Sequence, residues 1–245
     1  MKLKIFETGN QKVVAGEITA IETKPSKQGN ITTIVSIKGT RHDAELDVDI
    51  DDSMEIAFVD NQYVEWSSII DNEDEDKAYK VGENIIARVT VVTNEGYDNP
   101  SYYGNGISKI YKTAKIFNVK SEEDGKEKTY HVYVGRPAQY SEVTWNDEKK
   151  MATATLSVRK YDSDTGESAF QKHKISLKNK GDDDKRGTRM YECLKNKKQN
   201  ELGALSYFVV TGEPFVTDSM KKKMEESGKT IPGTVYCSAI EFGLL

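Results

Sequence analysis

Cationic and aromatic residues are interleaved in the second half of the chain, on both sides of a turn-forming segment at 162–167. They are Arg159, Lys160, Tyr161, Phe170, Lys172 and Lys174. The last three stand at every second position, so a β-strand would place them on one face. Sequence-tolerant binding of a single-stranded nucleic acid needs cations that follow the phosphates and rings that stack on bases. The pattern therefore predicts a nucleic-acid-binding face, to which we also assign Arg136; burial in a core is the alternative for the two aromatic residues.

Three further aromatic residues are weaker candidates for the same chemistry. Trp145 lies in the segment that follows the first predicted strand of the second half. Tyr102 and Tyr103 lie in a Gly-, Asn- and Tyr-rich segment at 94–111, which we interpret as a loop. Long loops of small β-barrels can close over a bound strand, so this segment is predicted either to clamp a nucleic acid or to be an ordinary hairpin tip.

Residues that could support catalysis do not form a recognisable motif. The three histidines, His42, His131 and His173, are far apart in the sequence, with no nucleophile at a catalytic spacing. Acidic residues alternate at Glu45, Asp47, Asp49 and Asp51, and one face of a strand carrying them could hold Mg²⁺ for a nuclease. Because such alternation is commoner on an exposed strand, we predict a protein that is not an enzyme and has no cofactor or metal. A divalent-metal nuclease remains a rival hypothesis.

The composition narrows the class of protein further. The chain has 245 residues, 36% of them hydrophobic, with 13 Tyr, 7 Phe, 2 Trp and a net charge of −5. No apolar run reaches the length of a membrane span, and two cysteines do not make a disulfide framework, so we expect a cytoplasmic protein without a membrane partner.

The charge is unevenly distributed along the chain. Residues 43–76 contain fourteen acids and no Lys or Arg, whereas residues 146–200 contain fourteen Lys and Arg against nine Asp and Glu. The acidic block is predicted to be a solvated surface. Alternatively, it mimics nucleic acid and makes the protein an interaction module that inhibits or recruits a basic partner.

Strand signals dominate the chain and predict a mostly β fold. The predicted strands are 13–21, 31–37, 44–50, 85–92, 112–119, 130–134, 152–158, 173–177, 207–210 and 234–242. Helical patterns occur only at 188–198 and 218–227. A charged segment at 120–128 divides the strands into two sets of about five, the content of an OB-fold barrel. We therefore predict two tandem OB-like five-stranded antiparallel barrels, at 1–120 and 121–245, with one or two short helices.

The second half, roughly residues 129–245, resembles bacterial and phage-type single-stranded DNA-binding proteins. The resemblance is carried by an ordered series of short elements: HVYVGRP at 131–137, ATATLSVR at 152–159, TGE at 165–167, FQKHKI at 170–175, FVVTGEPF at 208–215 and VYCSAIEF at 235–242. It implies an OB-fold that binds single-stranded DNA, with Tyr161 and Phe170 where the family has its stacking aromatics. It also implies replication or recombination proteins as partners. A homodimer is left open.

The resemblance does not extend to the glycine-rich tail with an acidic tip that the family uses to recruit partners. The sequence stops at Leu245, at or just after the last matched strand. We therefore expect a phage-type or otherwise diverged member that recruits its partners in another way.

Overall fold

The computed structural model describes the chain except for residues 26–28, 94, 95, 97, 98, 111, 112, 124, 138–142, 162–165, 167, 196–204 and 229–231. The chain forms two compact units. Unit 1 comprises Met1–Ile110 with Val119–Lys128, and unit 2 comprises Tyr111–Asn118 with Thr129–Leu245. Whether the domains divide at residue 120 stays a prediction. None of the described helices is long and apolar enough to span a membrane.

Unit 1 is a closed β-barrel with one short helix. Its elements are β1 (Lys4–Thr8), β2 (Gln11–Pro25), β3 (Ile31–Asp43), β4 (Val48–Val59), α1 (Trp66–Ile70), β5 (Asn84–Val92) and β6 (Ser101–Lys109). The sheet runs β1-β2-β3-β4-β6-β5, and β5 pairs back onto β2. Five strands therefore close into a ring, with α1 between its third and fourth strands, which is the arrangement of an OB-fold.

The core of unit 1 follows from the alternation of its strands. In β3 and β4 the side chains of Val35, Ile37, Ile56 and Phe58 point inward and are fully buried. The helix α1 adds Trp66, whose ring centroid lies 5.3 Å from that of Phe58. Packing thereby requires an apolar side chain at every second position of these strands, whereas the side chains between them point outward and form the outer surface.

Unit 2 repeats this strand order. Its elements are β7 (Lys115–Glu123) and β8 (Lys126–Gly135), whose hairpin ends belong to unit 1, then β9 (Thr144–Asn146), β10 (Met151–Tyr161), β11 (Ser168–Lys178), α2 (Arg186–Lys195), β12 (Ser206–Thr211), α3 (Asp218–Ser227) and β13 (Thr234–Leu244). The sheet runs β7-β8-β12-β13-β11-β10-β9. With β8 as first strand and α2 between the third and fourth, this is again an OB-like order.

The gap between β8 and β10 is bridged by Ala114, the residue immediately before β7. The amide of Ala114 donates to the carbonyl of Ser157, at 2.9 Å, and Ala114 forms a parallel bridge with Val158 of β10. Ala114 also lies so close to Gly135 of β8 that a Cβ on that glycine would approach it to 2.8 Å. The barrel of unit 2 is therefore closed on this side by a short segment rather than by direct strand pairing.

The helix α2 covers the core of unit 2. It buries Met190 and Leu194, and the amides of Gly187 and Thr188 in its first turn donate to the side-chain oxygen of Asn179. Gly187 lies against the end of β11, because an added Cβ would stand 2.5 Å from the carbonyl oxygen of Leu177. A residue without a side chain is thus required where the helix begins.

The mostly β class and the tandem OB-like barrels are confirmed, and several details differ from the sequence prediction. Helix α1 was not predicted, and α2 begins two residues earlier than expected. The barrels are not purely antiparallel, since β4 pairs with β6, and β11 with β13, in parallel. The predicted strand at 44–50 is right only from Val48, where β4 begins; 44–47 form a turn in which the Asp43 carboxylate accepts from the amides of Glu45 and Leu46.

The prediction of a loop over 94–111 is also wrong for half of its length, and residues 94, 95, 97, 98 and 111 lie outside the described part of the chain. Ser101–Lys109 is strand β6, paired with β5. Gly104 suits a strand here because a Cβ at this position would collide with the ring of Phe58. The glycine that suggested a loop instead allows β6 to lie close to the core.

Candidate nucleic-acid interface

Strands β10 and β11 sort the residues of the predicted binding pattern onto two faces. The two strands pair along their whole length, with Arg159 opposite Phe170 and Ser157 opposite Lys172. The inward residues are Ala152, Ala154, Leu156, Val158, Gln171, His173, Ile175 and Leu177, and all are buried. Arg159, Tyr161, Phe170, Lys172 and Lys174 have the opposite parity and therefore share the outer face.

The two aromatic residues of this outer face are not core residues. Tyr161 is 68% exposed and Phe170 is 66% exposed, whereas core aromatics such as Phe208 have no exposed surface. Arg159 and Lys172 are exposed beside them. Burial, the alternative for Tyr161 and Phe170, is thereby excluded, and both rings are available to a ligand.

Two further aromatic residues extend this surface across β13. Tyr236 lies next to Lys174 in the parallel β11–β13 pairing, and the Lys174 ammonium is 5.9 Å from the centre of its ring. Phe215 pairs with Tyr236 through two backbone hydrogen bonds, and the rings stack with centroids 5.6 Å apart. Phe215 is 54% exposed. We call these seven residues, Phe215, Tyr236, Lys174, Lys172, Phe170, Arg159 and Tyr161, the β10–β11 face.

The electrostatic character of this surface is uniform. Along β10 from Thr153 and throughout β11, both of which are fully described, no outward residue is acidic. The equivalent strands of unit 1, β3 and β4, which are also fully described, have Asp49, Asp51 and Glu55 on their outer face, against one cation, Lys38. A polyanion would therefore be attracted to the outer face in unit 2 and repelled by the one in unit 1.

Three other predicted residues lie away from the β10–β11 face. Lys160 has the opposite parity to Arg159 and lines a cavity at the end of the barrel. Arg136 follows β8, and its buried Nε has no hydrogen-bond partner among the described residues. Trp145 is in strand β9 rather than in a loop; its indole NH donates to Asp147, and its ring lies 6.1 Å from that of Tyr191 on α2. Trp145 therefore packs against the protein itself.

Tyr102 and Tyr103 belong to unit 1, where their surroundings are acidic. The ring of Tyr102 packs partly against the core, with the ammonium of Lys12 at 5.7 Å. Tyr103 is 41% exposed and lines a groove together with Asp52 and Glu55. The sequence predicts a nucleic-acid contact at these two tyrosines, and the two carboxylates oppose such a contact.

A buried hydrogen-bonded network lies on the inner side of β11, opposite the β10–β11 face. The side-chain amide of Gln171 donates to the carbonyl of Pro232, at 2.7 Å, which leaves its oxygen to accept from Nε2 of His173, also at 2.7 Å. Nδ1 of His173 then accepts from the hydroxyl of Tyr133, at 3.0 Å. Burial, aided by the charge of Lys160, lowers the pKa of His173 to about 4. His173 is therefore a neutral structural residue.

Metal-ligand geometry is also missing from the described part of the chain. No three His, Cys, Asp or Glu side chains converge there as a metal site would require. Of the alternating carboxylates that suggested Mg²⁺ binding, Glu45 and Asp47 lie in a turn and Asp49 and Asp51 lie in β4, so the four do not line one face of a single strand. Asp47 and Asp49 instead flank His42, at 3.5 and 3.4 Å.

Solved structures similar to this chain include single-stranded DNA-binding and PriB proteins of bacteria. The wild-type single-stranded DNA-binding protein from Thermus aquaticus is 10% identical, with a TM-score of 0.31 over 96% of this chain and 92% of that chain. The N-terminal domain of PriB from Thermoanaerobacter tencongensis is 13% identical, with a TM-score of 0.29 over 42% of this chain and 97% of that chain.

PriB from Ralstonia solanacearum is 11% identical, with a TM-score of 0.30 over 42% of this chain and all of that chain. At identities and TM-scores of this size, the similarity carries no argument about what the chain binds. No protein-family model matches the sequence, and no curated protein matches it either.

Proposed function

We propose that this protein binds single-stranded DNA, without catalysis, on the β10–β11 face of unit 2, and that it acts in DNA replication or recombination. The observation that carries the proposal is the row of exposed rings and cations described above, on the second and third strands of an OB-like barrel. These strands form the oligonucleotide-binding surface of OB-folds in general. Because fold alone does not determine function, the proposal depends on the residues of the face.

The spacing of the face suits an extended strand of nucleotides. Residues that share one face of a strand are about 6.8 Å apart along it, and neighbouring strands are about 4.8 Å apart. The exposed rings of Phe170, Tyr161 and Phe215 can each stack on a base, and Arg159, Lys172 and Lys174 lie among them to contact phosphates. Stacking contributes about 1–3 kcal/mol per base and is available to every base type. Binding is therefore expected to be sequence-tolerant.

Exposed rings favour a single strand over a duplex. In a duplex the faces of the bases are stacked on one another and the rings of the β10–β11 face have nothing to contact. Duplex DNA would retain only the phosphate contacts, which weaken steeply with salt.

The decisive experiment is a fluorescence-anisotropy titration of labelled oligo-dT at several salt concentrations, with duplex DNA as competitor. The test variant is Lys172→Gln with Lys174→Gln, and the control is Lys77→Gln with Lys80→Gln, two exposed lysines of unit 1. Neutralising two phosphate contacts should reduce the slope of log K against log salt by about 1.4, because each contact to a single strand contributes about 0.7.

Wild-type protein should bind the oligonucleotide saturably and prefer it to duplex, and the control should have the wild-type slope. Absence of binding at low salt would refute the proposal. Equal slopes for the test variant and the wild type would show that DNA binds elsewhere on the chain. A phage origin, assembly as a homodimer and a cytoplasmic location stay predictions.

A second candidate function is favoured by the outer surface of unit 1. One face of β4 carries three carboxylates, at Asp49, Asp51 and Glu55. A basic protein could recognise this row of negative charges. On this alternative the protein is an interaction module whose acidic surface replaces nucleic acid on its partner. It would form a stable complex with a basic protein, DNA would compete with that complex, and the chain alone would not bind DNA.

A further inference from the structure

A cavity of about 440 Å³ lies at one end of the barrel in unit 2, beside the β10–β11 face. Its walls come from the residues that precede and begin β7, from β8, from the end of β10 and from Glu213 and Pro214 after β12. Tyr133 and His173 form its floor, inside the barrel. The volume is within the range of pockets that hold small ligands, and the proposed binding of a strand along the outer face does not use it.

The charged side chains around this cavity are mostly cationic. Arg159, Lys160 and Lys115 line it, and Glu213 is the one carboxylate among its lining residues. Glu213 is 85% exposed at its side chain, with Oε1 3.6 Å from Nε2 of His131. Burial and, after it, the positive charge of Lys160 lower the pKa of His173 on the floor of the cavity. An anion in the cavity would therefore meet an excess of positive charge.

Arg159 connects this cavity with the β10–β11 face. It lies opposite Phe170 in the β10–β11 pairing and also lines the cavity, whereas the next residue, Lys160, lines the cavity alone. A nucleic-acid strand that follows β10 and contacts Phe170 on the neighbouring β11 therefore reaches the cavity at Arg159.

We propose that the cavity binds the terminal phosphate of a nucleic-acid strand, so that the protein prefers phosphorylated ends. A terminal phosphomonoester carries a charge of about −1.5 to −2 and three acceptor oxygens, against one charge for an internal diester. The planar guanidinium of Arg159 can donate hydrogen bonds to two of these oxygens, and Lys160 supplies a second cation.

A chain end fits the shape of the cavity better than an internal nucleotide does. The strands of the barrel wall it and the buried pair Tyr133 and His173 close it below, so an internal segment would have to enter and leave on the same side. An end needs to enter only once. This inference rests on the proposed function, because it takes the strand on the β10–β11 face as the source of the phosphate.

The test compares oligo-dT of about 16 nucleotides, within the site size of OB-folds, in four forms. They are 5′-phosphorylated, 3′-phosphorylated, hydroxyl at both ends, and circular. We expect one phosphorylated form to bind about tenfold more tightly than the hydroxyl form, as one charge-assisted contact would produce. Which end is preferred gives the polarity of the strand. Equal affinity for all four forms would overturn the proposal.

In the variant Lys160→Gln, the phosphorylated and hydroxyl forms should bind with equal affinity. In the control Lys178→Gln, which changes an exposed lysine of β11 outside the cavity, the ratio of the two affinities should be that of the wild type. Comparing ratios cancels the general effect of removing one charge from the protein. An undiminished ratio in Lys160→Gln would overturn the assignment to the cavity.

Calorimetric titration with thymidine 5′- and 3′-monophosphates, against thymidine, separates this inference from the proposed function. If no oligonucleotide binds, the proposed function fails. Lys160-dependent binding of a monophosphate, but not of thymidine, would still support the cavity. If neither monophosphate binds either, the cavity proposal fails as well.

Discussion

The substitution Phe170→Ala tests the proposed binding surface most directly, because its effects on binding and on stability should differ. Phe170 is 66% exposed, so only about a third of its side chain is removed from water by folding. Full burial of such a side chain stabilises by about 1.5–3 kcal/mol, so the substitution should reduce the free energy of unfolding by about 0.5–1 kcal/mol. The variant should therefore remain folded.

Binding should suffer far more than folding. Loss of one stacked base contact costs about 1–3 kcal/mol, which is about a 5- to 150-fold weaker affinity for oligo-dT. The slope of log K against log salt should not change, since no cation is removed. Phe170→Trp keeps a ring at this position and should restore most of the affinity.

The measurement is an anisotropy titration at low salt together with a denaturant melt of each variant. Tyr63→Ala is the matched control, because Tyr63 is 85% exposed in unit 1. A folded Phe170→Ala protein with wild-type affinity would refute the stacking role of this residue. An equal loss in Tyr63→Ala would show that exposed rings contribute without regard to their place in the fold.

Three other predictions test the structure at separate points. Gly187→Ala should destabilise the protein by about 1–3 kcal/mol, although alanine favours helices, because the new Cβ would press on the carbonyl of Leu177. Gly181→Ala, with open space around it, should be close to neutral in the same denaturant melts. The folded state does not take up a proton at His173 until about pH 4, whereas the unfolded chain does so near pH 6.5, so stability should fall as the pH falls between these values. The free energy of unfolding of the wild type should be about 2 kcal/mol lower at pH 5 than at neutral pH, and this decrease should be absent from His173→Leu. Parallel pH profiles of the two proteins would contradict the prediction. Tyr103→Ala should leave the affinity for oligo-dT unchanged, because Asp52 and Glu55 repel phosphates there; a loss like that of Phe170→Ala would place DNA on unit 1.

The part of the interface on β10 and β11 could be predicted because strand periodicity is a local property. Phe170, Lys172 and Lys174 share a face whatever else the chain does, provided that the segment is a strand. The same rule places Lys160 and Arg159 on opposite sides. The sequence alone could therefore have predicted that Lys160 lies on the other side of β10 from Arg159, although the sequence interpretation treated Arg159, Lys160 and Tyr161 as one group.

Tyr236 and Phe215 could not be predicted because their positions depend on long-range pairing. Tyr236 meets Lys174 only because β13 lies parallel to β11, sixty-two residues earlier in the chain. Phe215 joins them through an isolated bridge after β12. Neither residue lies in a local pattern of alternating cations and rings. Only a knowledge of the barrel order would have brought them to this surface.

The error at 44–50 has a different cause. Leu46, Val48 and Ile50 alternate with acids as a half-buried strand would, and yet Leu46 is 69% exposed and Val48 is 47% exposed. The carboxylate of Asp43 accepts two backbone amides and begins a turn, and Asp47 has a positive φ of 54°. A local side-chain hydrogen bond of this kind competes with strand pairing and is not visible as periodicity. The strand itself begins at Val48, where pairing with β3 takes over.

Two barrels of one strand order can have opposite surfaces because the two faces of a strand are under separate constraints. In β4 the inward residues Ile56 and Phe58 fill the core, and the outward Glu55 is unconstrained by packing. In β11 the inward Ile175 has the same role, and Lys174 is outward. Changing the outer set alters charge without altering fold, at little cost in stability. The acidic face of unit 1 and the basic, aromatic face of unit 2 are therefore compatible with a common architecture, and it is the outer set of residues that has to be examined when a function is assigned to either barrel.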